Sequence, residues 1–267
     1  MPILEHSGIA QHYEISGTGP PLLMIAGMIS DSASWAPMIP LLEPHFTLIR
    51  PDNRTTGRTT PLDAPATVEL FAADCAALLG ALDLGPAHVL GHSLGGMIGM
   101  QLAIAQPRLV RTLTLAASAP LPLKRNVAMF RNLLAIRHSD ASPDTWWNAL
   151  FLWLFSPDIY QTSNAARYAV AGALTYRHAQ TVQAMALQID ALEAYQPDTI
   201  EQVQIPVQAV LGTGDILLPS ALAVPALGQT PIHHIDGAGH SIHWDAPDVL
   251  TKHLREFTAL HEAPKDR

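Results

Sequence analysis

The feature that most constrains this chain is a serine between two glycines, in the pattern Gly-x-Ser-x-Gly at residues 91–95. The sequence around it predicts a short apolar strand ending at Leu90, a tight turn, and a helix that stops at Pro107. A serine at the tip of so sharp a turn has strained backbone geometry, and only small residues two places away let strand and helix approach closely. The pattern is typical of an exposed nucleophile, Ser93, with the N–H of Leu94 facing a developing negative charge. The alternative is a glycine-rich connection whose serine only caps the helix, and the strand-to-helix context favours the nucleophile.

Strands and helices alternate along the first 120 residues. Helices are predicted over residues 35–42 and 67–82, and apolar residues recur at helical spacing in the second. Residues 22–26 are continuously apolar, as expected of a strand buried on both faces. The other runs that predict strands here lie at residues 9–15, 46–50, 87–90 and 113–116. Such alternation predicts an α/β fold with a mostly parallel, doubly wound sheet that carries helices on both faces.

Residues 121–195 break this alternation. The segment reads as wholly helical and aromatic-rich, which indicates a helical cap inserted into an α/β core made of residues 1–120 and 196–267. Strands resume at residues 205–211 and 231–235, and a closing helix follows at residues 249–260. A cap covers the mouth of a site, so some of its aromatic side chains are expected to line the pocket. The candidates are Trp146, Trp147 and Trp153.

A serine hydroxyl is a weak nucleophile that needs a base, and the base needs an orienting acid. In open α/β sheets such residues stand on loops just beyond the carboxyl ends of strands. Asp215 and His240 meet this condition, since each follows an apolar strand and a glycine. Asp236 is an alternative acid, although it is close to His240 in sequence. His243 is an alternative base that lacks the glycine-flanked strand end.

Together these motifs resemble those of the α/β-hydrolase superfamily over nearly the full chain. The matching pieces lie at residues 27–28, 52–54, 91–96, 212–215 and 239–240. The resemblance implies that Ser93 is the nucleophile, His240 the general base and then acid, and Asp215 the orienting carboxylate. It also implies an oxyanion hole formed by the N–H groups of Met28 and Leu94.

The chain departs from the superfamily in two places. Ala26 stands where relatives often have His, and residues 52–57 differ from the more usual Asp-x-Arg-Gly-x-Gly. The chain looks most like small capped enzymes such as 3-oxoadipate enol-lactonases and aminoacrylate hydrolases. This resemblance implies a serine hydrolase that cleaves a small carboxylic ester or lactone through an acyl-Ser93 intermediate. The alternatives are a C–C bond hydrolase or a perhydrolase with the same triad, and, in another class, a non-catalytic ligand-binding protein.

Composition restricts the kinds of molecule that this protein is expected to bind. The formal net charge of −8 argues against nucleic acid, and the apolar runs are too short or interrupted to span a membrane. The start shows no secretory signal, so a cytoplasmic location is the default expectation. Cys75 is the single cysteine, and metal-binding motifs are absent, so neither a metal nor another cofactor is predicted. The expected partner is a small-molecule substrate, and the oligomeric state stays open.

The charge of the predicted cap suggests a substrate preference. Residues 121–189 carry six basic and three acidic side chains, a net charge of +3. A positive cap could hold a substrate carboxylate through a bidentate arginine, which predicts short carboxylate-bearing substrates. The alternative is that these charges are ordinary solvated helix faces.

Overall fold

The computed structural model describes residues 2–162 and 164–262. Within these residues eight strands form one sheet, in the order β1-β2-β4-β3-β5-β6-β7-β8. At one edge, β1 pairs antiparallel with β2, and β2 pairs antiparallel with β4. The six strands β3 to β8 all run parallel, so the predicted mostly parallel sheet is confirmed. The strands are β1 (Ile3–His6), β2 (Ile9–Ser16), β3 (Pro21–Ile25), β4 (Thr47–Pro51), β5 (Ala87–His92), β6 (Val110–Ala116), β7 (Val207–Gly212) and β8 (Ile232–Ile235).

Helices occupy most of the connections. Short 3-10 helices cover Ser32–Trp35, Pro107–Leu109 and Ile200–Gln202. The α-helices are α1 (Ile39–Leu42), α2 (Val68–Leu82), α3 (Leu94–Ala105), α4 (Lys124–His138), α5 (Pro143–Leu154), α6 (Pro157–Thr162), α7 (Ala165–Thr175), α8 (Val182–Ala194), α9 (Ser220–Ala226), α10 (Ile242–Asp245) and α11 (Pro247–Leu260). No helix in the described part of the chain is both long and apolar enough to cross a membrane.

The sheet is covered on both faces. Successive strand side chains point to opposite faces, and β3 divides its apolar residues accordingly. Leu23 and Ile25 belong to the core cluster that contains residues of α2 and α3. Leu22 and Met24 belong to a second cluster that contains residues of α1 and α11. This two-sided burial explains why β3 is apolar throughout.

Two elements differ from the sequence prediction. The single helix expected over residues 35–42 is replaced by the 3-10 helix Ser32–Trp35 and a separate α1. Pro37 and Pro40 explain the break, since neither has the N–H that a continuous helix would need at its position. The edge strand β1 was not predicted from the sequence, and its alternation of exposed and half-buried residues is a weak signal.

Five of these helices, α4 to α8, lie between β6 and β7. They fall inside the segment predicted to be a cap. The strands β5, β6, β7 and β8 run parallel, so their carboxyl ends meet at one edge of the sheet. The helical segment and this edge enclose the site described next.

Candidate active site

Ser93 lies at a strained turn between β5 and α3. Its backbone angles are φ 54° and ψ −120°, a conformation that few non-glycine residues adopt. A Cβ on Gly91 would collide with the carbonyl oxygen of Gly95, and a Cβ on Gly95 with that of Ile25. The hydroxyl of Ser118 donates to the Ser93 carbonyl at 2.7 Å, which ties the turn to the end of β6. The two glycines are therefore required by close backbone contact.

Ser93, His240 and Asp215 form one chain of hydrogen bonds. The distance from Ser93 Oγ to His240 Nε2 is 2.9 Å, and from His240 Nδ1 to Asp215 Oδ2 it is 2.8 Å. With the proton on Nδ1, His240 donates to Asp215 and accepts from the serine hydroxyl. Asp215 and His240 are buried, whereas Ser93 is half-buried and reaches the cavity. The structure thus brings together the three residues singled out in the sequence.

The carboxyl group of Asp215 is held in its ionised form. Burial alone would raise its pKa, but the charge and hydrogen bond of His240 outweigh burial. The N–H groups of Leu217 and Leu218 each donate to Oδ1 at 2.8 Å and lower the pKa further. The net result is a pKa below the ordinary value, so Asp215 can orient and stabilise a protonated His240.

Met28 and Leu94 flank Ser93 as expected for an oxyanion hole. Met28 follows β3, Leu94 begins α3, and both lie with Ser93 around one small cavity. Among the described residues neither N–H has a hydrogen-bond acceptor, so both are free to bind an anion. The next residue, Ile29, has φ 66° and donates its N–H to Gln188 Oε1 at 2.9 Å. Gln188 belongs to α8 and is fully buried, so the helical segment supports this loop.

Two further histidines, His92 and His243, are buried near His240. His92 Nε2 donates to the carbonyl oxygen of His240 at 2.9 Å, and the rings of His92 and His243 lie 4.3 Å apart. Burial lowers the pKa of His92 to about 3 and that of His243 well below its ordinary value, so both stay neutral. His243 has no hydrogen bond at Nδ1 within the described chain, and His240 is the histidine that contacts the serine.

A further carboxylate, Asp245, was not identified from the sequence. Its Oδ2 accepts hydrogen bonds from the N–H of Gly239 at 2.6 Å and of Ser156 at 3.2 Å. The N–H of Ser241 donates to Leu154 O at 2.8 Å. These bonds fasten the loop that carries His240 to the end of α5. Sequence spacing gave no signal for the two bonds to residues 154 and 156, because their partners are more than 80 residues apart.

The competing carboxylates have other partners. Asp236 is exposed and accepts a hydrogen bond from Thr213 Oγ1 at 3.1 Å. The fully buried Asp52 accepts the N–H groups of Ser32 and Arg58 and therefore shapes the adjacent loop. Neither carboxylate has a hydrogen bond to His240 among the described residues, so Asp215 is the carboxylate in contact with His240.

A cavity of about 590 Å³ opens from Ser93 and His240. Two aromatic residues that line it, Tyr168 and Trp244, are exposed. Its wall is dominated by apolar side chains from the helical segment. They include Phe130, Trp147, Leu150, Phe151, Leu154 and Phe155.

Only one of the three predicted tryptophans, Trp147, lies on this wall. Trp146 is buried beside it and packs under Arg137, whose guanidinium lies 4.3 Å from the ring centre. Trp153 lies 6.0 Å from the guanidinium of Arg125 and does not line the cavity. Trp146 and Trp153 point away from the cavity because of the way α5 is rotated about its axis. The face of α5 that meets the cavity carries Trp147, Phe151 and Leu154.

The expected arginine for a substrate carboxylate is not on the cavity wall within the described residues. Arg131 pairs with Asp190 and Glu193 on α8, and Arg137 donates to Gln180 O at 2.7 Å. Both acidic partners of Arg131 lie just beyond residue 189, where the charge count stopped. Counting to the end of α8 reduces the net charge from +3 to +1. The helical segment as a whole therefore has only a small net positive charge.

Comparison with known proteins agrees with this geometry. The sequence model of the alpha/beta hydrolase family matches residues 22–252, which contain Ser93, Asp215 and His240. A relative from Azorhizobium caulinodans, named carbamate hydrolase RutD, is 30% identical and the alignment covers 94% of this chain and 96% of the relative.

Solved structures show the same fold. A protein from Mycobacterium tuberculosis H37Rv, named non-heme bromoperoxidase BpoC, has a TM-score of 0.82 and 25% identity, over 95% of this chain and 97% of that one. The enol-lactonase from Burkholderia xenovorans LB400 has a TM-score of 0.84 and 20% identity, over 97% of this chain and 100% of that one. The matched motifs, the fold and the extent of the sequence match lead to one conclusion: this chain belongs to the alpha/beta hydrolase family.

Proposed function

We propose that this protein is a serine hydrolase that cleaves a carboxylic ester or lactone through an acyl-Ser93 intermediate. The observation that carries the proposal is the continuous hydrogen-bond chain from Asp215 through His240 to Ser93, at 2.8 and 2.9 Å. The serine at its end opens into a cavity large enough for a small molecule. We further propose that residues 121–195 act as the cap of this site, since their side chains form most of its wall.

The first half of the reaction forms the acyl-enzyme. As Ser93 Oγ attacks the substrate carbonyl, its proton passes to His240 Nε2, and Asp215 stabilises the imidazolium that results. The carbonyl oxygen becomes an oxyanion that accepts hydrogen bonds from the N–H groups of Met28 and Leu94. When the carbonyl re-forms, the bond to the leaving alkoxide breaks, and His240 returns the proton to that oxygen.

The second half repeats these steps with water. His240 takes a proton from a water molecule while the water oxygen attacks the acyl carbonyl. The tetrahedral intermediate uses the same oxyanion hole. Collapse releases the carboxylic acid, and the proton on His240 returns to Ser93 Oγ. A lactone follows the same course, but its alcohol remains part of the product.

Turnover of a panel of short esters, lactones and enol-lactones by the wild type and by Ser93→Ala tests this proposal. Alanine is small enough for the elbow, so the variant should keep its fold and lose at least ~10⁴-fold in kcat. Circular dichroism and thermal melting provide the folding control. A folded Ser93→Ala protein with near wild-type turnover would remove Ser93 from the mechanism. A wild type that binds these compounds without cleaving them would favour a ligand-binding protein.

Carbamate hydrolysis is the second candidate, favoured by the name of the 30% identical relative. The same triad would attack the carbamate carbonyl, with ammonia as the leaving group. Release of ammonia from carbamate, compared with cleavage of esters by the same preparation, distinguishes the two functions. Perhydrolysis and C–C bond cleavage remain alternatives that use the same residues. Adding hydrogen peroxide to the ester assay would reveal the former as peracid formation.

A further inference from the structure

The cavity above Ser93 has an unusual wall for a small polar substrate. Its volume of about 590 Å³ lies within the range of roughly 300–1,000 Å³ found for drug-sized ligands. Most of the side chains on it are aromatic or aliphatic, and among the described residues it carries no lysine or arginine. A short polar acyl group would leave most of this apolar wall without contact.

The main polar exception on the wall away from Ser93 is a pair formed by Asp31 and Tyr176. The hydroxyl of Tyr176 donates to Asp31 Oδ2 at 2.7 Å, and the N–H of Ala33 donates to Oδ1 at 2.9 Å. Asp31 lies in the loop after β3, and Tyr176 directly follows α7. Because the phenol proton points to the carboxylate, this pair offers the cavity a negative charge and oxygen lone pairs.

The surroundings of Asp31 add further negative charge. Burial, and then the charge of Asp52, raise the pKa of Asp31 above its ordinary value, and the hydrogen bonds from Tyr176 and Ala33 and the charge of Arg58 offset this only in part. The positive charge next to these carboxylates belongs to Arg58, which already contacts Asp52 at 3.3 Å and Glu14 at 2.8 Å. A second carboxylate brought here by a substrate would therefore meet like charge without a free arginine to pair with.

We infer that this cavity takes uncharged esters or lactones with an extended apolar group, and that the Asp31–Tyr176 pair rejects carboxylate-bearing substrates. The inference rests on the proposed hydrolase function and specifies its substrate class. A carboxylate would lose its hydration against the apolar wall. It would also face the charge of Asp31, and such like-charge contacts are strongly unfavourable. An apolar chain instead gains free energy with every methylene that leaves water.

A matched series of p-nitrophenyl esters tests the inference. The acyl groups are acetyl, hexanoyl, adipoyl with a free terminal carboxylate, and the methyl ester of that adipoyl group. We expect kcat/KM to rise about fourfold for each added methylene from acetyl to hexanoyl. The methyl adipoyl ester should exceed its free carboxylate by on the order of 100-fold. Equal kcat/KM for these two esters, or faster turnover of carbamate than of the hexanoyl ester, would overturn the inference.

Two variants assign the selectivity to Asp31. Asp31→Asn should reduce the preference for the methyl ester to less than about tenfold, because it removes the charge but keeps an acceptor. Tyr176→Phe should keep most of the preference, since the Asp31 carboxyl stays and only the hydrogen bond that lowers its pKa is lost. The ratio of two substrates on one variant is independent of any general loss of activity. Asp190→Asn is the control, because it removes one negative charge from an exposed position in α8, and it should keep the wild-type ratio. An unchanged ratio in Asp31→Asn would contradict the role of this pair.

The exposed His178 offers the main opposing interpretation. Its ring lies 5.8 Å from that of Tyr176 and also borders the cavity. A carboxylate preference that His178→Gln abolishes would identify an anion site and overturn the inference. Failure of the wild type to cleave any ester of the series is a different result. It would reject the proposed hydrolase function itself, and the inference with it.

Discussion

The two sides of this site are built by different means. Ser93, Asp215 and His240 stand on loops at the carboxyl ends of β5, β7 and β8, where close backbone contacts fix Ser93 and hydrogen bonds fix His240. The opposite side is a wall of apolar side chains from the helical segment. The precise placement of polar groups governs the rate of a reaction, and the shape of an apolar wall governs which molecule binds. Changes at the strand ends should therefore alter kcat by orders of magnitude, while changes in the helices should alter substrate preference.

The largest expected effect tests the strand-end side. Asp215→Asn keeps the size of the side chain but loses the charge that orients and stabilises protonated His240. The rate should fall by on the order of 10⁴-fold, as for other triad acids. Steady-state kcat on a short ester measures this fall.

Asp236→Asn provides the matched control, since it makes the same chemical change at the end of β8, in a carboxylate that does not contact His240. Asp236 is exposed and hydrogen-bonds Thr213 rather than His240, so kcat should stay near the wild-type value. A larger loss in Asp236→Asn than in Asp215→Asn would show that the acid has been assigned to the wrong residue.

The difference between the two sides also explains what the sequence could predict. Gly91 and Gly95 are needed by close backbone contacts and are close in sequence to Ser93, so a short motif revealed the elbow and, with the strand order, the triad candidates. The Asp31–Tyr176 bond joins residues 145 positions apart and has no local signature. The rotational phase of α5 is also a tertiary property, because all of its aromatic residues suit a helix that packs on two sides. That is why Trp146 and Trp153 were assigned to the pocket from the sequence.

Gln188 connects the two sides, and its replacement should have the next largest effect. Gln188→Leu removes the acceptor for the Ile29 N–H and leaves that partly buried donor without a partner. The loop that carries the Met28 N–H should shift, and kcat should fall by on the order of 100-fold, as when one oxyanion donor is lost. Gln188→Glu keeps an acceptor oxygen and should recover part of the rate. An unchanged kcat in the leucine variant would mean that the loop does not depend on the helical segment.

The helical side is tested by two tryptophans of α5. Trp147→Ala removes part of the cavity wall, so kcat/KM for a hexanoyl ester should fall about 30-fold relative to an acetyl ester. Trp153→Ala makes the same change on a part of the helix that does not line the cavity, and the ratio should not move. Equal ratios in the two variants would contradict the proposed division between wall and support.

The smallest effect concerns stability on the strand-end side. Burial lowers the pKa of His92 from 6.5 to about 3 in the folded chain. Between these pH values the unfolded chain binds more protons than the folded chain, so stability falls as the pH drops from about 6.5 towards 3. His92→Gln should reduce the slope of unfolding free energy against pH by up to ~1.4 kcal/mol per pH unit. Urea denaturation at several pH values measures it, and the exposed His234→Gln serves as the control. An unchanged slope in His92→Gln would mean that His92 does not stay neutral in the fold.

The central claim is that the hydrogen-bond chain makes Ser93 a working nucleophile. The direct measurement is the rate and position of labelling by a fluorophosphonate, followed by mass spectrometry of the intact protein and its peptides. We predict one label per chain, attached to Ser93, and labelling slowed by on the order of 10³-fold or more in Asp215→Asn. A label on another residue, or equal labelling rates in the wild type and Asp215→Asn, would contradict the claim.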